Sequence, residues 1–189
     1  MRFLSFIPAL LAVLFVTNTA YAQDWGEYSN RENFFTVNFP GDPTVAESPY
    51  KTAKGTALTA RTFTASAPAD TLLAGTYSIT VVDYNSAKAE LPMAIEEAAA
   101  AIRAKGTVKY DGGGMIDNHR SWRLTIETPD KHRLLAEILA SEAGRLYIVV
   151  ADTAIAAPSP AQFQASVQIL DENGVRIRYR SVGSTERVR

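Results

Sequence analysis

The chain has 189 residues, 19 basic against 20 acidic side chains, a net charge of −1, a hydrophobic fraction of 47% and no cysteine. So even a balance excludes a nucleic-acid binder that works by bulk basicity, and the missing thiol excludes disulfides, cysteine nucleophiles and a lipid anchor on a terminal cysteine. A chain of this size buries roughly 70% of its unfolded surface, which holds one domain together without a disulfide or a metal.

The first element is an export signal. Arg2 supplies the positive start, Phe3 to Val16 (FLSFIPALLAVLFV) is an apolar stretch too short for a stable membrane span, and Ala20-Tyr21-Ala22 is a small-x-small cleavage site. The expectation is a leader over residues 1–22, a chain starting at Gln23 in a bacterial periplasm, and no transmembrane span after cleavage. Residues 23–175 then read as a single α+β domain and 176–189 as a basic strand or tail.

FFTVNF places Phe35, Val37 and Phe39 on one face of a strand that ends at Pro40. Pro40-Gly41-Asp42-Pro43 follows. Proline cannot donate to a ladder and glycine tolerates positive φ, so these residues end an edge-side strand and open a loop through Tyr50. A phosphate loop would need the glycine to open a helix with Lys and Ser or Thr behind it, and no helical pattern follows. GTALTARTFTAS from Gly55 is a threonine-rich strand with Leu58, Ala60 and Phe63 inward, its break in parity suggesting a bulge. APADTLL is a loop. In GTYSITVVDY, Tyr77, Ile79 and Val81 alternate with Ser78 and Thr80, as in a half-buried strand.

A helix comes next. Leu91, Ile95, Ala98, Ala99 and Ile102 recur at helical spacing, Pro92 suits the first turn and Gly106 the exit. Its alanine run is low in bulk, so it can lie close against a sheet. Four strand patterns in TVKYDG, SWRLTIET, RLLAEILAS and RLYIVVAD then follow with short polar turns, as in an antiparallel meander. LYIVVA is apolar at both parities, which marks a central strand covered on both faces. Ser159, Pro160 and Gln162 form an S-x-x-Q capping box for a closing helix with Phe163, Val167 and Leu170 on its buried stripe, stopped at Asp171 to Gly174.

Three features invite a site. Asp111 with Gly112, Gly113 and Gly114 reads as a flexible hairpin loop that could offer backbone N–H groups to an anion; with Asp117 and His119 it offers metal-type ligands at no recognised spacing. His119 and His132 are the two histidines, expected as solvated residues beside turns. With no G-x-S-x-G and no H-E-x-x-H, neither has a nucleophile or metal to serve, and no motif asks for a cofactor. In RIRYRSV, Arg176, Arg178 and Arg180 alternate with Val175, Ile177 and Tyr179. That is a charge-guarded edge strand or docked tail, or else a clamp for anionic lipid head groups, polysaccharide or an acidic partner.

The F-x-V-x-F-P start, Gly144-Arg145-Leu146-Tyr147 and the Phe163-x-x-Ser166 helix, in this order of elements, resemble the PsbP/Mog-like domains, which include DcrB-type bacterial envelope proteins. The likeness spans Trp25 to Leu170. It implies an antiparallel sheet sandwiched between helices, an α/β/α arrangement within the α+β class, and a role as an extrinsic subunit or binding partner. The resulting expectation is a non-catalytic periplasmic binding or accessory protein, its partner an unknown envelope protein or anionic envelope component. The alternative is a small periplasmic hydrolase without a sequence signature, which would need a deep pocket uniting a histidine with a carboxylate.

Overall fold

The computed structural model describes residues 25–117, 119–179 and 187–188; the expected leader and Arg180 lie outside them. The strands are β1 (Gly26–Asn30), β2 (Phe35–Phe39), β3 (Thr44–Lys51), β4 (Ala57–Ala67), β5 (Gly75–Asp83), β6 (Thr107–Ile116), β7 (His119–Glu127), β8 (His132–Ala140), β9 (Arg145–Ala154), β10 (Gln168–Ile169), β11 (Arg178–Tyr179) and β12 (Arg187–Val188). The helices are α1 (Leu91–Arg103) and α2 (Ala161–Ser166). Among the described residues a seven-stranded sheet runs in the order β3-β4-β5-β9-β8-β7-β6, a three-stranded sheet in the order β1-β2-β10, and β11 pairs with β12. All the pairings within the large sheet are antiparallel. This is the α+β class with the meander that the turn spacing implies.

The large sheet has a core on each face. β9 sits at its centre and shows why LYIVVA is apolar throughout: Tyr147, Val149 and Ala151 enter one core, while Leu146, Ile148 and Val150 belong to the other. The same geometry explains the parity break of β4. Leu58 and Ala60 face the α1 side, Phe63, Ala65 and Ala67 the opposite side, and the ladders to β3 and β5 run without a register shift. No bulge is needed, because one unbroken strand feeds two cores along different halves.

α1 covers β7, β8 and β9 with Ala94, Ala98, Ala99 and Ile102 buried. Gly106 ends its run where a Cβ would meet the Glu127 carbonyl oxygen at 2.2 Å, so the chain can turn into β6 there only without a side chain. The far face is closed by the small sheet together with the short α2. Its aromatic cluster includes Trp25 on Tyr77 at 4.8 Å, Phe35 on Phe63 at 5.1 Å, Tyr77 on Phe163 at 5.2 Å and Phe39 on Phe163 at 5.5 Å between ring centroids. Each such pair adds about 1 kcal/mol beyond its buried area.

Four local expectations are corrected. Residues 44–51 are a strand, not loop: as an edge, β3 is exposed along nearly its whole length, so it lacks the alternation that marks a half-buried strand, and Pro49 is tolerated there. β2 is the middle strand of the small sheet rather than edge-side, although Gly41, at φ +136°, does turn the chain out of it. The closing helix stops at Ser166, with Val167 extended and Gln168–Ile169 paired to β2; no side chain caps its first turn, and Pro160 precedes the first helical residue. Val167, Ile169 and Leu170 are buried, but pairing with β2 achieves this better than another helical turn. The fourth concerns Gly112 to Gly114, which lie inside β6. The hairpin turn lies between Ile116 and His119, with Asp117 at φ +45°.

Candidate functional site

The glycine segment presents no anion loop. Gly114 is small because the strand passes Glu137: a Cβ there would lie 2.8 Å from Glu137 Oε1 and 2.9 Å from Ser121 Oγ. Asp111 is occupied. Arg103 Nε donates to its Oδ2 at 2.6 Å, Arg103 Nη2 to its Oδ1 at 3.1 Å, and Trp122 Nε1 to the same oxygen at 2.7 Å. The Arg103 guanidinium, and then the indole N–H, hold this carboxyl below its usual range. Asp111 lies midway along β6, whereas Asp117 follows its last residue and His119 opens β7 opposite Ile116, roughly 15–20 Å away at the strand rise of about 3.3 Å per residue. The three do not converge.

Asp117 and Arg176 do meet, which neither spacing nor periodicity indicated. The fully shielded Asp117 carboxylate accepts the Ile169 N–H at 2.9 Å and Arg176 Nε at 2.5 Å. Ile177 N–H donates to the Ile169 carbonyl at 2.8 Å and Ile177 is buried. Arg176 and Ile177 are thus stitched to the β10 layer, and Arg176 is withdrawn from the expected arginine row. Arg178 pairs with Val188.

The histidines are not simply solvated. His119 is buried, its Nδ1 2.9 Å from the Asp117 carbonyl oxygen. His132 is half-exposed, and its Nδ1 lies 2.7 Å from Asp152 Oδ1, which raises the imidazole pKa, the coulombic effect of Asp130 adding to it.

The pieces of sequence that carry the family resemblance converge on each other. Tyr147 Oη donates to the Asn33 carbonyl at 3.0 Å, the Arg145 guanidinium lies 4.1 Å over the Phe34 ring, and Ser166 Oγ accepts the Asn38 N–H at 3.0 Å. Burial pushes the Tyr147 phenol well above its ordinary range. These residues clamp β2 to β9 and α2. Their task is packing.

The site that sequence reading missed lies on the other face. α1 spans only part of the sheet, and between it and β5 opens a cleft of about 730 Å³, within the range of small-molecule sites. Ala98, Ala101 and Ile102 of α1 form one wall, Leu134, Ile148 and Val150 the base, Thr76, Ser78 and Thr80 the far floor, and Tyr50, Lys51 and Ala53 one end. Asp152, the partner of His132, also lines it. The hydroxyl floor continues onto β4, where Thr62 Oγ1 lies 2.9 Å from Thr80 Oγ1.

Two glutamates of the α1 region differ sharply. Glu90 takes Thr52 Oγ1 at 2.5 Å and Thr56 Oγ1 at 2.6 Å, one on each carboxylate oxygen, and these bonds lower its pKa. Glu97, which lines the cleft, accepts only the Ala53 N–H, at 3.2 Å on Oε2; its Oε1 is shielded and has no donor among the described residues. The buried Tyr84 hydroxyl meets no well-aligned partner among the described residues, although Tyr50 lies close enough to bond it. Burial, with Tyr50 and Glu97 close by, pushes that phenol far above its usual range. Shielded polar atoms without partners are uncommon in folded proteins; others among the described residues belong to Thr36, Thr153 and Gln164, and Glu97 is the one that lines the cleft. The sequence carried one faint signal: Ala98 to Ala101 fill little volume, and Glu97 borders the apolar stripe.

No family model matches the chain, and no curated protein matches it. Among solved structures it is similar to the solution structure of cyanobacterial PsbP (CyanoP) from Synechocystis sp. PCC 6803, at 9% identity and a TM-score of 0.37, over 82% of this chain and 98% of that one. A likeness of that degree leaves function to be argued from this chain's own geometry. No helix among the described residues is long and apolar enough to cross a membrane.

Proposed function

We propose that this is a non-catalytic binding or accessory protein of the bacterial cell envelope, periplasmic once residues 1–22 are removed, that holds a small ligand in the cleft between α1 and β5. The resemblance to PsbP/Mog-like and DcrB-type domains, with their extrinsic and partner-binding roles, belongs to the same proposal. One observation carries it: the cleft of about 730 Å³ keeps a shielded carboxylate oxygen of Glu97 without a donor, an arrangement that destabilises the empty protein unless something binds there. Native mass spectrometry of protein taken directly from the periplasm tests it. The expected result is a chain beginning at Gln23 with a co-purifying small molecule that Ala101→Trp, a side chain grown into the cleft from an exposed position, displaces. A bare chain under gentle desolvation, unchanged by the substitution, would overturn the reading.

A second reading has one observation in its favour. The His132–Asp152 pair, 2.7 Å apart, joins a histidine and a carboxylate at this cleft, the juxtaposition a small hydrolase would use. Turnover of an ester or phosphoester panel that His132→Ala and Asp152→Asn both abolish would support it; a wild-type rate equal to buffer alone would remove it.

A further inference from the structure

Resting on the reading of the cleft as a binding site, we infer that its ligand is an amphiphile with a primary ammonium head, which pairs with Glu97, and an aliphatic body, which lies along α1. The charges in the cleft are of two kinds, already partnered and not; Asp152 is of the first, bonded to His132 at 2.7 Å. Lys51 and Lys105 line it from exposed positions, where an ammonium on a flexible stem is hydrated and already satisfied. The Glu97 carboxylate is different. Among the described residues it is held only by the 3.2 Å Ala53 N–H, and its second oxygen is shielded without a donor. A cationic N–H donor therefore gains most at Glu97, because a charge-assisted bond replaces an unmet acceptor rather than an existing hydration shell. The terminal carboxylate torsion is broad and roughly two-fold, so a small turn about it presents an oxygen to the cleft.

The rest of the cleft suits the remainder of such a molecule. Ala98, Ala101, Ile102, Leu134, Ile148 and Val150 offer an aliphatic bed, and the small alanines leave the width that a chain requires. No aromatic side chain lines it except Tyr50, so stacking on a flat ring or sugar has little to work with. Thr76, Ser78 and Thr80 border the bed with neutral hydroxyls, which accommodate a polar substituent and add no charge to repel the head.

The test is isothermal titration of the whole processed protein with n-octylammonium, 1-octanol and octanoate, below their aggregation concentrations, on wild type, Glu97→Gln and Ala101→Trp. In wild type, n-octylammonium is expected to bind about tenfold or more tighter than 1-octanol, the size of a charge-assisted hydrogen bond, with octanoate weakest. Glu97→Gln keeps the shape and should bring the ammonium and the alcohol within about threefold of each other, while Ala101→Trp should weaken all three. Octanol or octanoate binding as tightly as the ammonium in wild type would overturn the ammonium assignment and leave the cleft as a binding site. Binding of n-octylammonium that Glu97→Gln does not weaken would overturn it as well. Failure of all three to bind at millimolar concentration, with Ala101→Trp silent, would sink the inference and the proposed function together.

Discussion

The two faces of the seven-stranded sheet are finished in different ways. On one, Phe35, Phe39, Phe63, Tyr77, Tyr147 and Phe163 are all shielded from solvent and fill the space beneath β1, β2, β10 and α2. On the other, α1 meets the sheet through Ala94, Ala98, Ala99 and Ile102. Alanines bring the helix close where it touches, but they have no reach, so beyond β9 the sheet is only partly covered: Val82 and Ala60 are buried, while a cleft opens over Thr76, Ser78 and Thr80. Side-chain volume thus decides where this protein can bind anything: one face invests it in stability, while the other leaves room. Among the buried carboxylates the same division holds, although the neutral Thr36, Thr153 and Gln164 side chains of the closed face also keep an oxygen without a partner among the described residues. On the closed face, buried Glu137 receives Ser121 Oγ at 2.5 Å and Arg123 Nη2 at 2.9 Å, and Asp117 receives Arg176. On the open face Glu97 retains a shielded oxygen with no donor among the described residues.

The contrast breaks if the closed face tolerates truncation. Phe163 touches Trp25, Phe39 and Tyr77, so Phe163→Ala should lower unfolding free energy by about 3–5 kcal/mol in urea titration, the range for a large aromatic removed from a packed core. A loss below about 1 kcal/mol would mean that this face is not the one that holds the fold. Next in size is Arg123→Ala. Glu137 is 1% exposed in its side chain while Arg123 is 43% exposed, so the lost partner strands a buried carboxylate but half of the interaction is already screened. About 2 kcal/mol is expected, below the full penalty for breaking a buried pair. Replacing Arg123 and Glu137 together by leucine should recover much of it.

The open face should behave in the opposite manner. Ala101→Trp is expected to change stability by no more than about 0.5 kcal/mol, as at other surface positions, while it disrupts ligand capture. A destabilisation comparable to that of Phe163→Ala would show that the cleft is filled in the resting protein and would erase the distinction between the faces.

How much of this could be read in advance follows from the same division. Period-2 alternation in β5 and β7, the two-sided apolarity of β9 and the helical stripe of α1 were legible because each records its burial directly in residue type. β3 was not, since an exposed edge strand records no burial. The break at Ala60 and Phe63 was visible but misread as a bulge, because a one-dimensional pattern does not show that two cores share a strand. The S-x-x-Q box before Phe163 failed because Pro160, not Ser159, precedes the first helical residue, and the helix was read too long because β2 offered Gln168 and Ile169 a better partner than another helical turn. The cleft was the least legible feature: it arises where Ala98 to Ala101 are too small to cover Ser78 and Thr80, and an unfilled volume has no residue of its own. Asp117 and Arg176, 59 positions apart, left no local trace of their pairing.

The smallest effect concerns the rim of the cleft and separates its electrostatics from its packing. His132 has a pKa raised above the ordinary imidazole value, first by its hydrogen bond to Asp152, which outweighs the opposing effect of burial, and then by the lesser effects of the Asp152 and Asp130 charges. A raised folded-state pKa means that the folded protein binds the proton more tightly than the unfolded chain does. The stabilisation is therefore fully present below the unfolded value, near pH 6.5, and is lost as pH climbs through the higher folded value. Both side chains are well exposed, at 45% and 40%, so solvent screens the pair and only a few tenths of a kcal/mol are at stake. Wild type should lose that amount relative to Asp152→Asn between about pH 6 and pH 8, measured as the difference of their urea midpoints at each pH. Parallel profiles would show that the pair adds nothing to stability. A gap that widens with rising pH would mean that Asp152 holds a neutral imidazole, and the rim would then carry one positive charge fewer than the geometry assigns it.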